Sequence, residues 1–188
     1  MMDQHALTTY LLSLTPLSEE FISVLNRHMQ QHVYKKGQPL KTSQRNSSIW
    51  FLVNGIIKSC YFDSDGNEHV SRFWKEGEII LLEENAYHEI PSADYLIMIE
   101  NTVLLSIPDL RVAYLLAHFH QAQTLRSMIF QMDRDKAEVH SHLLRLPIKA
   151  AYRKFEKIFP VNRIPIQDIA RYLGVPPKRI SEIRSGKQ

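Results

Sequence analysis

The sequence predicts an α+β chain: an N-terminal antiparallel β jelly roll (a double-stranded β-helix) with flanking helices, one long helix, and a small helical unit ending in a helix-turn-helix. Three observations predict it. Short runs rich in Ile, Val, Phe and Tyr, parted by turn signals, occupy residues 33–107. A helical apolar period returns after Pro108. The chain then closes on two short amphipathic stretches flanking Gly174.

Taken in order, residues 5–32 read as helical. Leu7, Leu11, Leu12 and Leu14 make one apolar stripe, Thr15-Pro16 interrupts it, and Leu17, Phe21, Ile22, Leu25 and Met29 make a second. Turn signals at Lys36-Gly37, Asn54-Gly55 and Asp63-Ser64-Asp65-Gly66 divide the next region. The strand candidates are 49–51, 56–62, 69–73, 79–82, 95–99 and 103–107. Many short strands with regular turns predict a barrel or jelly roll.

Leu115, Phe119, Ala122, Leu125, Ile129, Met132 and Val139 then recur at helical spacing, which predicts one unbroken helix. A stripe so regular buries itself on another helix, so Leu125, Ile129 and Met132 are the expected dimer seam, with packing on the chain's own β-domain as the alternative. Arg145-Leu146-Pro147 breaks that helix. The expected units are therefore a barrel with its N-terminal helices (1–108), a dimerisation helix (109–144) and a helix-turn-helix unit (145–188).

In the last unit, Ala150 to Phe159 form a helix stopped by Pro160. Ile166, Ile169, Ala170 and Leu173 share a face, Gly174 turns the chain, and Ile180 and Ile183 point the next helix inward. Its outer face then carries Lys178, Arg179, Ser181, Glu182 and Arg184. Charge singles out the same region. From Arg145 onward there are eleven Lys or Arg against three acids, a net of +8. Residues 1–144 hold twelve bases and seventeen acids, a net of −5. A basic tail on an acidic body is the footprint of a part that binds a polyanion.

Other classes find little support. No apolar run reaches the ~20 residues of a membrane span, and the start lacks a secretory pattern. A lone cysteine, Cys60, forms no internal disulfide and suits a reducing, cytoplasmic setting as a buried small residue. His118 and His120, like His140 and His142, stand two apart on a helix and face different ways, so no metal site is expected. The strand region has only His69 and His88, without the spacing of a cupin metal centre. With no phosphate loop, serine elbow or triad-like cluster, no catalytic residue is assigned and no enzyme is expected.

The order of parts resembles the Crp/Fnr family of bacterial regulators, in the compact form common in Bacteroidetes. In the barrel the resemblance rests on Ile49-Trp50-Phe51-Leu52-Val53-Asn54-Gly55-Ile56-Ile57-Lys58, on Asp63 to Glu68 and on Glu76-Gly77-Glu78. At the C-terminus it rests on Gln167 to Val175 and Ile180 to Arg184. It implies a cytoplasmic homodimer whose partners are double-stranded DNA, RNA polymerase and a small-molecule effector of unknown kind. Two such modules contact half-sites one helical turn, ~34 Å, apart. Lys178, Arg179, Ser181 and Glu182 are then the base-contact candidates, and Arg163, Arg171, Arg184 and Lys187 the phosphate candidates.

Departures from the family pattern shape the remaining expectations. Family members that bind cyclic nucleotides place an arginine against the phosphate, but none lies between Arg72 and Arg111 here. Glu76 to Asp109 hold eight acids and no Lys or Arg, which repels a phosphodiester. The effector-pocket candidates are Glu78, Leu81, Leu82 and Ser92, and an acidic, apolar pocket there favours a neutral or cationic molecule, or is filled by its own side chains. No cofactor is expected; Cys60 alone cannot carry an iron–sulfur cluster. Pro176 and Glu182 depart from the family's usual cap and arginine, which keeps a second reading in play: a ligand-binding or protein-interaction module without specific DNA binding.

Overall fold

The computed structural model describes residues 4–40, 49–81 and 95–186. Leu82, Ser92 and Lys187 lie outside the described residues. Among the described residues, two helices, α1 (Gln4–Leu14) and α2 (Glu19–His28), precede seven strands: β1 (Gln30–Tyr34), β2 (Ile49–Asn54), β3 (Ile57–Phe62), β4 (Glu68–Trp74), β5 (Ile79–Leu81), β6 (Tyr95–Met98) and β7 (Thr102–Ile107). Five helices follow: α3 (Asp109–His118), α4 (His120–Leu143), α5 (Ile148–Ile158), α6 (Ile166–Tyr172) and α7 (Pro177–Arg184).

The strands form two antiparallel sheets, β1-β7-β2-β5 and β4-β3-β6. Between them lies a core of Trp50, Leu52, Ile57, Trp74, Ile80, Leu96, Met98 and Leu104. Alternate residues of the four-stranded sheet, among them Phe51, Ile79, Leu105 and Ile107, face a second core shared with α1 to α4. Residues around the three-stranded sheet, Cys60, Val70 and Phe73, join a third core shared with α5 to α7. Both outer faces are thus covered. That is why β2 and β7 read as near-continuous apolar runs instead of alternating.

Two expectations need correction. The N-terminal helical stretch does not run to residue 32: Met29 is extended (φ −66°, ψ 135°) and residues 30–34 pair with β7 as an edge strand. Helix α2 is well begun, with Ser18 Oγ accepting from the Phe21 amide at 3.2 Å and Glu19 and Glu20 in its first turn. The long helix is not continuous either. Phe119 breaks it with an extended backbone (φ −128°, ψ 119°), its ring edge-on to Phe21 at 5.4 Å. No proline or glycine marks that break; packing against α2 makes it.

The expected seam residues lie on α4. Leu125 and Ile129 are buried in the core that α4 shares with its own N-terminal helices and sheet. They are turned toward the chain itself. Met132 is 38% exposed and takes the Tyr10 hydroxyl on Sδ at 3.8 Å, and Val139 is 41% exposed.

Candidate nucleic-acid interface

Helix α6 ends in a tight C-terminal turn. Gly174 has φ +66°, and the Val175 amide bonds the Ala170 carbonyl at 3.0 Å, a Schellman arrangement in which glycine avoids the cost of left-handed backbone. Pro176 and Pro177 then start α7, Pro176 at the N-cap with no side-chain cap and Pro177 as the first helical residue. Ile169, Ala170 and Ile180 are fully buried, so the two helices cross on a dry contact.

The outward face of α7 is open. Lys178, Arg179 and Ser181 are exposed, and Glu182 is half-buried with its carboxylate 3.4 Å from Arg179 Nη1. Ser181 Oγ donates back to the Pro177 carbonyl at 3.2 Å. Arg184 is engaged: Nε donates to Tyr152 Oη at 2.8 Å and Nη2 to the Val161 carbonyl at 2.6 Å, strapping α7 to α5.

The other two described phosphate candidates are held by the sandwich. Arg171 Nη1 lies 2.7 Å from Glu68 Oε2 and 3.4 Å from Asp168 Oδ1. Arg163 pairs with both Glu76 and Glu100, and Glu76 also accepts the Gly55 amide at 3.0 Å. Gly55 is required at that turn: its φ is +111°, and a Cβ would fall 2.5 Å from Thr102 Oγ1.

Beneath these arginines sits a buried ion-pair cluster that the sequence reading missed. Lys58 Nζ on β3 is 2.6 Å from both Glu68 Oε1 on β4 and Asp168 Oδ1 on α6, with all three side chains at most 14% exposed. Burial works against the Lys58 ammonium, but its bonds to Asp168 and Glu68 outweigh it and hold the pKa above the ordinary value. Burial likewise opposes the Glu68 carboxylate, and Lys58 and Arg171 outweigh it, leaving its pKa low. Two cations and two carboxylates balance, as a desolvated site requires. A charged residue inside an apolar strand (Lys58) and another inside an apolar helix face (Asp168) were visible signals. Nothing local pairs them.

Around this cluster Phe73 packs on Tyr172 (5.1 Å between centroids), Phe155 and Phe159. His140 stacks on Tyr172 at 3.9 Å and its Nε2 meets the Tyr172 carbonyl at 2.8 Å. Cys60 is fully buried beside Glu68, and burial first, then that carboxylate, push its thiol to about 11. A thiol so raised is a poor nucleophile.

The described effector-pocket candidates, Glu78 and Leu81, fall elsewhere than the sandwich interior. Glu78 faces α4, with Oε1 3.1 Å from Lys136 Nζ and Oε2 accepting the Lys75 amide at 3.1 Å. Leu81 packs against the core on the outer side of its sheet. The interior itself is filled by Trp50 and Trp74, which are 0% and 3% exposed. Among the described residues, no group of three His, Cys, Asp or Glu is placed to hold a metal ion, and no helix is long and apolar enough to cross a membrane.

A two-sheeted sandwich followed by a long helix and a C-terminal helix-turn-helix defines the architectural class. No protein-family model and no curated protein matches the chain. Solved structures do. FixK2 from Bradyrhizobium japonicum superimposes with a TM-score of 0.69 at 18% identity, over 84% of this chain and 83% of that one. A transcriptional regulator of the Crp/Fnr family from Eubacterium rectale gives 0.67 at 12% identity, over 89% and 82%. A cyclic nucleotide-binding domain containing protein from Listeria monocytogenes gives 0.67 at 15%, over 96% and 89%. The chain has the fold of the Crp/Fnr regulators, in agreement with the resemblance in its sequence.

Proposed function

We propose that this chain is a homodimeric, cytoplasmic transcription regulator of the Crp/Fnr type, not an enzyme, that reads duplex DNA with α7. The observation that carries this is the open face of Lys178, Arg179 and Ser181 on a helix whose opposite side is locked by Ile180. Lys178, Arg179, Ser181 and Glu182 are the base readers, while Arg163, Arg171, Arg184 and Lys187 contact phosphates. The dimer is supported by Met132 and Val139, exposed on α4 and two turns apart on one face. A barrel interior occupied by two tryptophans supports a sensor part that does not take a cyclic nucleotide.

The test is selection of bound sequences from a random duplex pool, followed by affinity against salt. Arg179→Ala is expected to flatten base preference. Lys187→Ala is expected to weaken every duplex alike and to shallow the salt slope by about one unit. If both variants bind every duplex as the parent does, the assigned face is wrong.

One observation favours the second reading, a module that keeps the fold without specific DNA binding. Arg163 and Arg171 are satisfied by Glu76, Glu100 and Glu68 inside the molecule. Background binding to random duplex at moderate salt separates the two. A regulator binds at about micromolar or tighter and loses affinity steeply as salt rises; a protein-interaction module shows none.

A further inference from the structure

A cavity of about 270 Å³ lies between α1, α2, α3, α4 and the outer face of the four-stranded sheet. Its walls are apolar, with Leu11, Phe21, Ile79, Leu115, Leu125 and Ile129 among them, and among the described residues its single charged lining residue is Arg126. The Arg126 side chain is exposed, its guanidinium rests 5.4 Å from the centre of the Phe130 ring, and among the described residues it has no carboxylate partner. The two tryptophans leave the sandwich interior to the protein's own side chains; this space on its outer face is a separate one.

We infer that this cavity binds a small amphipathic carboxylate of about eight carbons, its chain among the leucines and isoleucines and its head group on Arg126. Volume sets the length. Taking a water's ~30 Å³ share of liquid volume as the size of one heavy group, the cavity takes about nine such groups. Lining chemistry sets the class. Walls of Leu, Ile and Phe such as these accept apolar guests. A sugar or a nucleobase would leave several polar groups without partners there. One guanidinium at the edge matches one carboxylate in the bidentate geometry that arginine favours. The sign is opposite to the neutral or cationic ligand expected from the acidic run at 76–109.

The inference stands apart from the DNA reading, because its test contains no DNA. Octanoate and octan-1-ol are titrated into the full chain by calorimetry. Octanoate is expected to bind one to one with a dissociation constant below about 1 mM. Arg126→Gln should weaken octanoate about tenfold and change octan-1-ol by less than about twofold. Ala122→Phe, which fills the cavity from α4, should abolish both; Leu116→Phe, at a half-buried wall position, does the same if the first variant fails to fold. The inference is overturned if the parent gives no octanoate heat, if Arg126→Gln binds octanoate as the parent does, or if a folded cavity-filling variant still binds.

Discussion

Replacing Lys58 by Met tests whether the helix-turn-helix is seated on the sandwich as described. The substitution keeps the side chain's length and removes its charge. Glu68 and Asp168 then share one cation, Arg171, at 2.7 and 3.4 Å. Removing one partner of a buried pair costs about 3–5 kcal/mol, because the other charge is left desolvated. Arg171 compensates in part, so the expected loss is about 2–4 kcal/mol. An exposed control, Arg179→Met, should stay within about 0.5 kcal/mol.

The double variant Lys58→Met/Asp168→Leu leaves Glu68 with Arg171 and buries no lone carboxylate, so it should recover at least about 1 kcal/mol of the loss. Urea unfolding is followed by two probes. Both tryptophans lie in the sandwich, so their fluorescence reports the sheets, while far-ultraviolet circular dichroism reports mostly helices. Undocking appears as a helical transition that precedes the fluorescence one. The reasoning is refuted if Lys58→Met costs less than about 1 kcal/mol with coincident transitions, since a solvated pair behaves that way.

Three further outcomes follow from the same structure. Gly174→Ala should cost about 1–2 kcal/mol by urea titration, because an alanine must hold φ +66° while its new Cβ would meet Leu144 Cδ2 at an ordinary 3.8 Å, without a clash. Burial, helped by Arg72 and opposed by the Tyr172 carbonyl, holds the His140 pKa below its ordinary value, so the unfolded chain takes up the proton first. Its contribution to stability is therefore complete above pH ~6.5 and declines as pH falls below that; His140→Gln should flatten the change in urea midpoint between pH 7.5 and 5.5, and an unaltered change would refute the assignment. Finally, Glu76→Gln loosens Arg163 from the sandwich, and the proposed function then predicts tighter background binding to random duplex with a salt slope steeper by up to about one unit. A duplex affinity and slope identical to the parent's would mean that Arg163 does not reach phosphate.

Much of this architecture is written in short-range pattern. The strands from β2 to β7, the turns at Gly55 and Gly66, the proline-begun α7 and the glycine turn at Gly174 are dictated by residues a few positions apart, whose backbone preferences act wherever the chain is placed. The basic character of the last unit is likewise a property of composition. What only the tertiary structure decided is which surfaces meet. Phe119 interrupts a helix that its own neighbours favour, because its ring finds Phe21. Leu125 and Ile129 turn inward because α1, α2 and the sheet present an apolar face to them. Lys58 and Asp168 are 110 residues apart in sequence and 2.6 Å apart in space. Charges at such separation leave no trace in local periodicity, since their pairing depends on the path of everything between them.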